Sequence, residues 1–226
     1  MPSILFVFTS ADKNLQGGQT GYFLPEAAHP YYVLAPHFDI EFASPKGANP
    51  PVDEGSVKSY AEDKESVQWL KDETVKSKLA KAKKLSDVKA SDYDAIFYPG
   101  GHGPVIDLPY DTTNHKLASE FFQAGKITSA VCHGPAALVG ATGKDGKSVF
   151  NGRKATGFSN KEEEMVNMVK AVPFLLEDKI KENGGTYDKA AEPWGEKVIV
   201  DGNLITGQNP NSAAAVGKAI LAALKK

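Results

Sequence analysis

Residues 127–140, I-T-S-A-V-C-H-G-P-A-A-L-V-G, constrain this chain more than any other stretch. Ile127 to Val131 is a short apolar run with the character of a buried strand. Cys132 and His133 follow, then Gly134, Pro135 and a second apolar run that predicts a helix. The pattern is strand, tight turn, helix, and it matches a nucleophile elbow, in which a reactive side chain sits on a strained strand-to-helix turn. Gly134 permits close strand–helix packing, and Pro135 suits a first helical turn, where its missing N–H costs nothing. Free N–H groups at such a helix start favour the thiolate, the reactive form of cysteine. A lone cysteine is more commonly a small buried hydrophobe, so both readings stand at this point.

Composition narrows the setting. Cys132 is the only cysteine in 226 residues, which rules out an intramolecular disulfide and a cysteine zinc cluster. A free thiol suits a reducing, cytoplasmic compartment. With 41% hydrophobic and 24% charged residues the chain has the balance of an ordinary globule with a sizeable core. The opening M-P-S-I-L-F-V-F lacks a basic segment and reads as a core strand, not a signal peptide. No run reaches the length of a membrane span. The net charge of −2 gives no footprint for nucleic acid.

Strands are expected at Ser3–Phe8, Asp39–Ala43, Asp94–Tyr98, Ile127–Val131 and Lys154–Gly157, and in a hairpin, Lys197–Val200 with Leu204–Thr206. Helices are expected at Phe23–Ala35, with Pro30 interrupting, and at Thr113–Ala124, Phe174–Glu182 and Ser212–Leu224. Another, capped by Asn160, begins with Glu162, Glu163 and Glu164, acids that suit a helix N-terminus. A Lys-rich helix over Asp63–Ala82 has Val67, Leu70, Val75 and Leu79 as its buried stripe and a solvated basic face. Alternating strands and helices predict a flavodoxin-like, doubly wound α/β fold, a mostly parallel sheet with helices on both faces. The whole chain, 1–226, reads as one domain with an irregular excursion at about 45–90.

Sites in such sheets lie at the carboxyl ends of strands. The loop P-G-G-H-G-P after Tyr98 and the turn at Cys132 can therefore converge. Gly100 and Gly101 offer backbone N–H groups for an oxyanion, as does His133 directly after the thiol. Glu26, in L-P-E-A-A-H-P, can reach the same rim; its plainer reading, and that of Glu163, is a helix-terminal carboxylate. His29, His37, His102 and His115 carry no sharper signal than a satisfied or exposed histidine. The glycine loop lacks the remainder of a dinucleotide fingerprint.

These pieces together resemble the ThiJ/PfpI superfamily, built on the class I glutamine amidotransferase-like fold. The motifs that carry the resemblance are P-E-A-A-H-P, P-G-G-H-G, A-V-C-H-G-P-A, T-G-F-S-N-K-E-E-E, P-F-L-L-E-D and L-I-T-G-Q-N-P-N-S-A, spread from the first strand to the last helix. The His directly after Cys and the excursion resemble the heat-shock chaperone/glyoxalase III branch. The resemblance implies a triad of Cys132, His133 and an acid, in best register Glu163, with Glu162 and Glu164 as alternatives. It implies that Glu26 hydrogen-bonds the nucleophile. The implied activity is glutathione-independent conversion of a 2-oxoaldehyde, methylglyoxal, to D-lactate, with no metal or organic cofactor, in a homodimer. A holding chaperone with a redox-sensing thiol, and a cysteine peptidase or amidohydrolase, are the competing expectations.

Overall fold

The computed structural model describes residues 2–225. Nine strands are present among them: β1 (Ser3–Val7), β2 (Asp39–Ser44), β3 (Lys83–Lys84), β4 (Ala95–Tyr98), β5 (Ile127–Val131), β6 (Lys154–Ala155), β7 (Thr186–Tyr187), β8 (Val198–Asp201) and β9 (Leu204–Gly207). The helices are α1 (Leu24–Leu34), α2 (Glu54–Ser59), α3 (Lys64–Lys71), α4 (Glu73–Ala80), α5 (Gly103–Asp107), α6 (Thr112–Gln123), α7 (Asn160–Met165), α8 (Leu176–Glu182) and α9 (Ala213–Leu224). Seven strands form one sheet in the order β3-β2-β1-β4-β5-β9-β8, parallel except for β8. β6 and β7 make a separate parallel pair. The expected doubly wound α/β architecture is therefore present.

The central strands are buried on both faces, and their side chains alternate between two cores, as the period of two requires. Leu5, Val7, Ile96, Tyr98, Ala130 and Leu204 enter one core, packed against α6 and α8. Ile4, Phe6, Phe8, Phe97, Val131 and Ile205 enter the other, beneath α1 and α9. The second core is unusually aromatic. Phe6 and Phe97 meet with ring centres 4.8 Å apart, Phe42 stacks on Trp69 at 5.6 Å, and the Trp69 indole N–H donates to the Tyr22 hydroxyl at 3.1 Å. Such ring pairs add about 0.5–1.5 kcal/mol each beyond burial. Trp69 thus fastens the excursion to the sheet beside the site.

The Lys-rich segment departs from expectation. Asp72 is extended at ψ 113° and caps Thr74 and Val75, splitting the run into α3 and α4. The break changes the phase of the buried stripe: Trp69 and Val75 are buried, while Leu70 is exposed. At α7 the N-cap is Ser159 rather than Asn160. Pro30 lies inside an unbroken α1. No helix among the described residues is long and apolar enough to cross a membrane.

Candidate active site

The chain winds outward in opposite directions from β1 and β4, so their carboxyl ends border the crevice where α/β sheets place ligands. The elbow opens at this rim. Cys132 sits at φ 59°, in the left-handed region, a conformation costing on the order of 1–2 kcal/mol for a residue with a side chain. Two backbone bonds hold it there: its N–H donates to the Gly207 carbonyl at 3.0 Å, and its own carbonyl accepts from the Phe158 N–H at 2.9 Å. A Cβ on Gly134 would collide with the Tyr98 carbonyl, so only glycine allows the turn to pass under β4.

The run after the elbow is a 3-10 turn, Gly134–Leu138, and not the expected α-helix. Its carbonyls are taken by other parts of the chain. The Asn114 amide donates to the Ala137 carbonyl at 2.8 Å and the Asn183 amide to that of Val139 at 3.0 Å. A single short turn supplies little of the dipole expected to favour a thiolate. Burial instead pushes the Cys132 thiol up; the Glu26 charge and hydrogen bond add to this, and the Gly101 N–H opposes it. The acidified thiol expected from sequence is not what this environment favours.

A base stands beside the thiol. Cys132 Sγ lies 3.6 Å from His133 Nδ1, and His133 Nε2 lies 2.5 Å from Glu163 Oε2. The tautomer that serves both contacts carries its proton on Nε2 and turns the Nδ1 lone pair to the sulfur. Burial lowers His133 below its ordinary 6.5, with the Glu163 charge opposing and His102 adding to the fall. The imidazole is therefore a neutral proton acceptor at pH 7. Burial works against the Glu163 charge, but the facing His133 and the bonds from both histidines outweigh it, and its carboxyl lies well below the usual range.

The three consecutive glutamates separate cleanly. Glu163 faces His133, whereas Glu164 is exposed and pairs with Lys161. Glu162 is buried and turned away from the thiol. One of its oxygens accepts from the Ser159 N–H at 2.9 Å and hydroxyl at 2.8 Å. The other accepts from the Trp194 N–H at 2.9 Å, Gln208 at 3.0 Å and Asn209 at 2.9 Å. Glu162 thus fastens the loop carrying Trp194 over α7. Trp194 packs edge-on against Phe158 at 5.5 Å, and Phe158 lies 4.5 Å from the His133 ring.

Glu26, in the first turn of α1, is wholly buried, and neither of its oxygens has a hydrogen bond of ordinary geometry. Its carboxyl lies against Gly100, where a Cβ would run into it and come within 2.8 Å of Cys132 Cβ. Burial pushes Glu26 up to about 8, against a pull down from the Cys132 side chain and the Gly100 N–H. Gly101, at φ +98°, presents its N–H toward the sulfur. Phe23 N–H bonds the Gly100 carbonyl at 2.9 Å and locks this loop to α1.

Cys132, His133, Glu163, Glu26, Gly100 and Gly101 are thus gathered at one point. His29, His37 and His115 stand apart: His29 bonds Asp63 at 2.9 Å, His115 bonds the Pro109 carbonyl at 2.8 Å and His37 is exposed. His102 does not stand apart, since its Nε2 lies 2.6 Å from Glu163 Oε1. The signal for it lay in its place directly after Gly101. Metal-type donor sets converge at His102, His133 and Glu163 and at His29, Asp63 and Glu65. In the first, the donor atoms are spent on one another. In the second, Asp63 Oδ2 already serves His29 and the Ser66 N–H.

Comparison with known proteins places the site in context. The DJ-1/PfpI family model matches residues 26–223. Glyoxalase 3 of Candida albicans is 32% identical over 100% of this chain and 99% of its own length. The glutathione-independent glyoxalase HSP31 of Saccharomyces cerevisiae is 33% identical over 92% of this chain and 91% of its own. The X-ray structure of the 24 kDa Rapid Encystment Protein of Francisella tularensis superposes with a TM-score of 0.93 at 35% identity, covering 99% of each chain.

Proposed function

Because this chain belongs to the DJ-1/PfpI family, we propose that it is a glutathione-independent glyoxalase that converts methylglyoxal and water to D-lactate through Cys132. The observation that carries this reading is the chain of contacts from the thiol through His133 to Glu163, with Glu26 and the Gly101 N–H on either side of the sulfur. His133 Nδ1 takes the thiol proton as sulfur adds to the aldehyde carbon. Glu163 stabilises the imidazolium that forms. The former carbonyl oxygen of the hemithioacetal is met by the Gly101 and His133 N–H groups. His133 passes the thiol proton to that oxygen and, neutral again, takes the C1 proton while protonated Glu26 donates to the C2 oxygen; the enediol collapses as its C1 hydroxyl reprotonates Glu26 and His133 delivers the proton to C2. This shift leaves a lactoyl thioester on Cys132. Water cleaves it, releasing lactate and restoring the thiol. Oxidation levels balance within the substrate, so no redox cofactor enters the steps.

Incubation with methylglyoxal in the absence of glutathione, followed by a stereospecific lactate assay, is expected to yield D-lactate. L-lactate, or no lactate, would contradict the assignment. By the same resemblance the protein is a homodimer, and its single free thiol suits the cytoplasm; a monomer mass by light scattering at micromolar concentration would contradict the dimer. A holding-chaperone reading draws on the exposed Leu15, Met165, Val166 and Val169; the Leu15 N–H bond to the Ala171 carbonyl brings the first beside the segment that carries the others.

Glu26 makes the reading testable through pH. A lowered His133 keeps the base neutral below 6.5, and a Glu26 raised to about 8 keeps the acid protonated through neutrality. The profile of kcat/KM is expected to be bell-shaped, with its acid limb below 6.5 and its alkaline limb near 8. Glu26→Gln should lower turnover by about 10²–10⁴-fold and remove the alkaline limb. Turnover within a few-fold of wild type would leave the relay to His133. Stability should move the other way. A carboxyl raised in the folded state contributes stability below its unfolded value of 4.5, and this is lost as pH rises through about 8. Above that pH the loss is on the order of 5 kcal/mol. Glu26→Gln is therefore expected to melt above wild type at pH 9, by calorimetry.

A further inference from the structure

The reaction as derived assigns nothing to His102. The structure gives it a position that no other free histidine shares. It follows Gly101, the oxyanion glycine, in the loop leaving β4, and its Nε2 donates to Glu163 Oε1 at 2.6 Å. His133 Nε2 donates to the other oxygen at 2.5 Å. The two rings lie 4.3 Å apart at 43°. The Glu163 side chain is only 3% exposed, and among the described residues its carboxylate has no hydrogen-bond partner besides these two imidazoles. The helix that carries it, α7, has six residues.

We propose that His102 is a positioning residue for this reaction: by holding Oε1 it turns the Glu163 carboxylate so that Oε2 meets His133, and it ties the oxyanion loop to the triad acid. The inference rests on the Cys132–His133–Glu163 reading and deepens it. When His133 takes the thiol proton, the new imidazolium needs a carboxylate already aimed at it. A carboxylate gripped on one oxygen only can swing, and His133 then loses its fixed tautomer and its aim at the sulfur. His102 acts through Glu163 rather than on substrate. Its removal should therefore lower kcat and leave KM nearly unchanged.

The test uses the full chain, methylglyoxal and five variants: His102→Ala, His102→Gln, His102→Asn, Glu163→Gln and the double variant His102→Ala/Glu163→Gln. Misplacement of a catalytic group by about 1 Å costs on the order of 100-fold, so His102→Ala is expected to lower kcat by about 10- to 100-fold with KM within about three-fold of wild type. The Gln amide can restore an N–H donor to Oε1, and His102→Gln is expected to recover kcat to within about five-fold of wild type. In the Glu163→Gln background, His102→Ala should add less than about three-fold, because both losses remove one device. Three results would overturn the inference: His102→Ala within about two-fold of wild type, multiplicative losses in the double variant, or a KM effect exceeding the kcat effect. If His102→Ala fails to fold, His102→Gln decides, since a donor without a role gives it no reason to outperform His102→Asn, whose shorter amide does not reach. A wild-type chain that makes no D-lactate overturns the reaction reading itself. A crippled Glu163→Gln beside an unaffected His102→Ala overturns the inference alone.

Discussion

Cys132→Ala is expected to lower D-lactate formation by about 10⁴–10⁶-fold, the scale on which removing a covalent nucleophile abolishes the work of its whole triad. The substitution is small: it deletes one atom from a residue that is 4% exposed, and the backbone bonds to Gly207 and Phe158 that hold the left-handed turn remain. The fold should therefore survive, with far-UV circular dichroism unchanged. Suppression of client aggregation, where the exposed Leu15, Met165, Val166 and Val169 serve it, should also survive. Turnover within about ten-fold of wild type would mean that sulfur does not attack the aldehyde. Loss of chaperoning along with turnover would mean that the thiol, not the apolar surface, carries it.

Glu163→Gln is expected to lower kcat by about 10⁴-fold, as when a triad carboxylate becomes an amide. The geometry says why. An amide can present its NH2 to His133 Nε2 and so stabilise the tautomer with the proton on Nδ1, facing the sulfur. That proton blocks the transfer from the thiol, and the charge that steadied the imidazolium is gone. Glu162→Gln, one residue away, should behave quite differently. Its carboxylate accepts from Ser159, Trp194, Gln208 and Asn209 and touches neither His133 nor Cys132. An amide there turns an NH2 toward donors, at a cost of about 2–4 kcal/mol. Its melting temperature should fall by about 5–15 °C, while kcat of the folded protein stays within about ten-fold of wild type. A large kcat loss in Glu162→Gln with little change in Glu163→Gln would exchange the two roles.

That contrast also shows how far local sequence reaches. The elbow and the glycine loop were legible because strand, turn and close-approach glycine are neighbours in the chain. The triad acid was less so, since three adjacent glutamates point in three directions on a helix. The signal that separates them is local after all: Ser159 and Glu162 form a capping box, S-x-x-E, which commits Glu162 to the backbone and leaves Glu163 facing inward. His102 was marked only by its place directly after Gly101, and its role stayed hidden because its partner lies 61 positions away. The environment of the thiol was the least legible. Whether a turn continues as an α-helix depends on the distant Asn114 and Asn183, which take its carbonyls. How deeply Cys132 and Glu26 are buried depends on the loops that close over them. The split of the Lys-rich helix at Asp72 was a missed N-cap, a feature that sequence can reveal.

The central claim is that one buried thiol, served by His133 and Glu163, does by itself what a glutathione-dependent route would take from a second thiol. The most direct measurement is the initial rate of D-lactate formation from methylglyoxal as glutathione is raised from zero. The account predicts full activity at zero glutathione and a rate that holds or declines as added thiol sequesters the free aldehyde. A rate near zero without glutathione that climbs as it is added would contradict it.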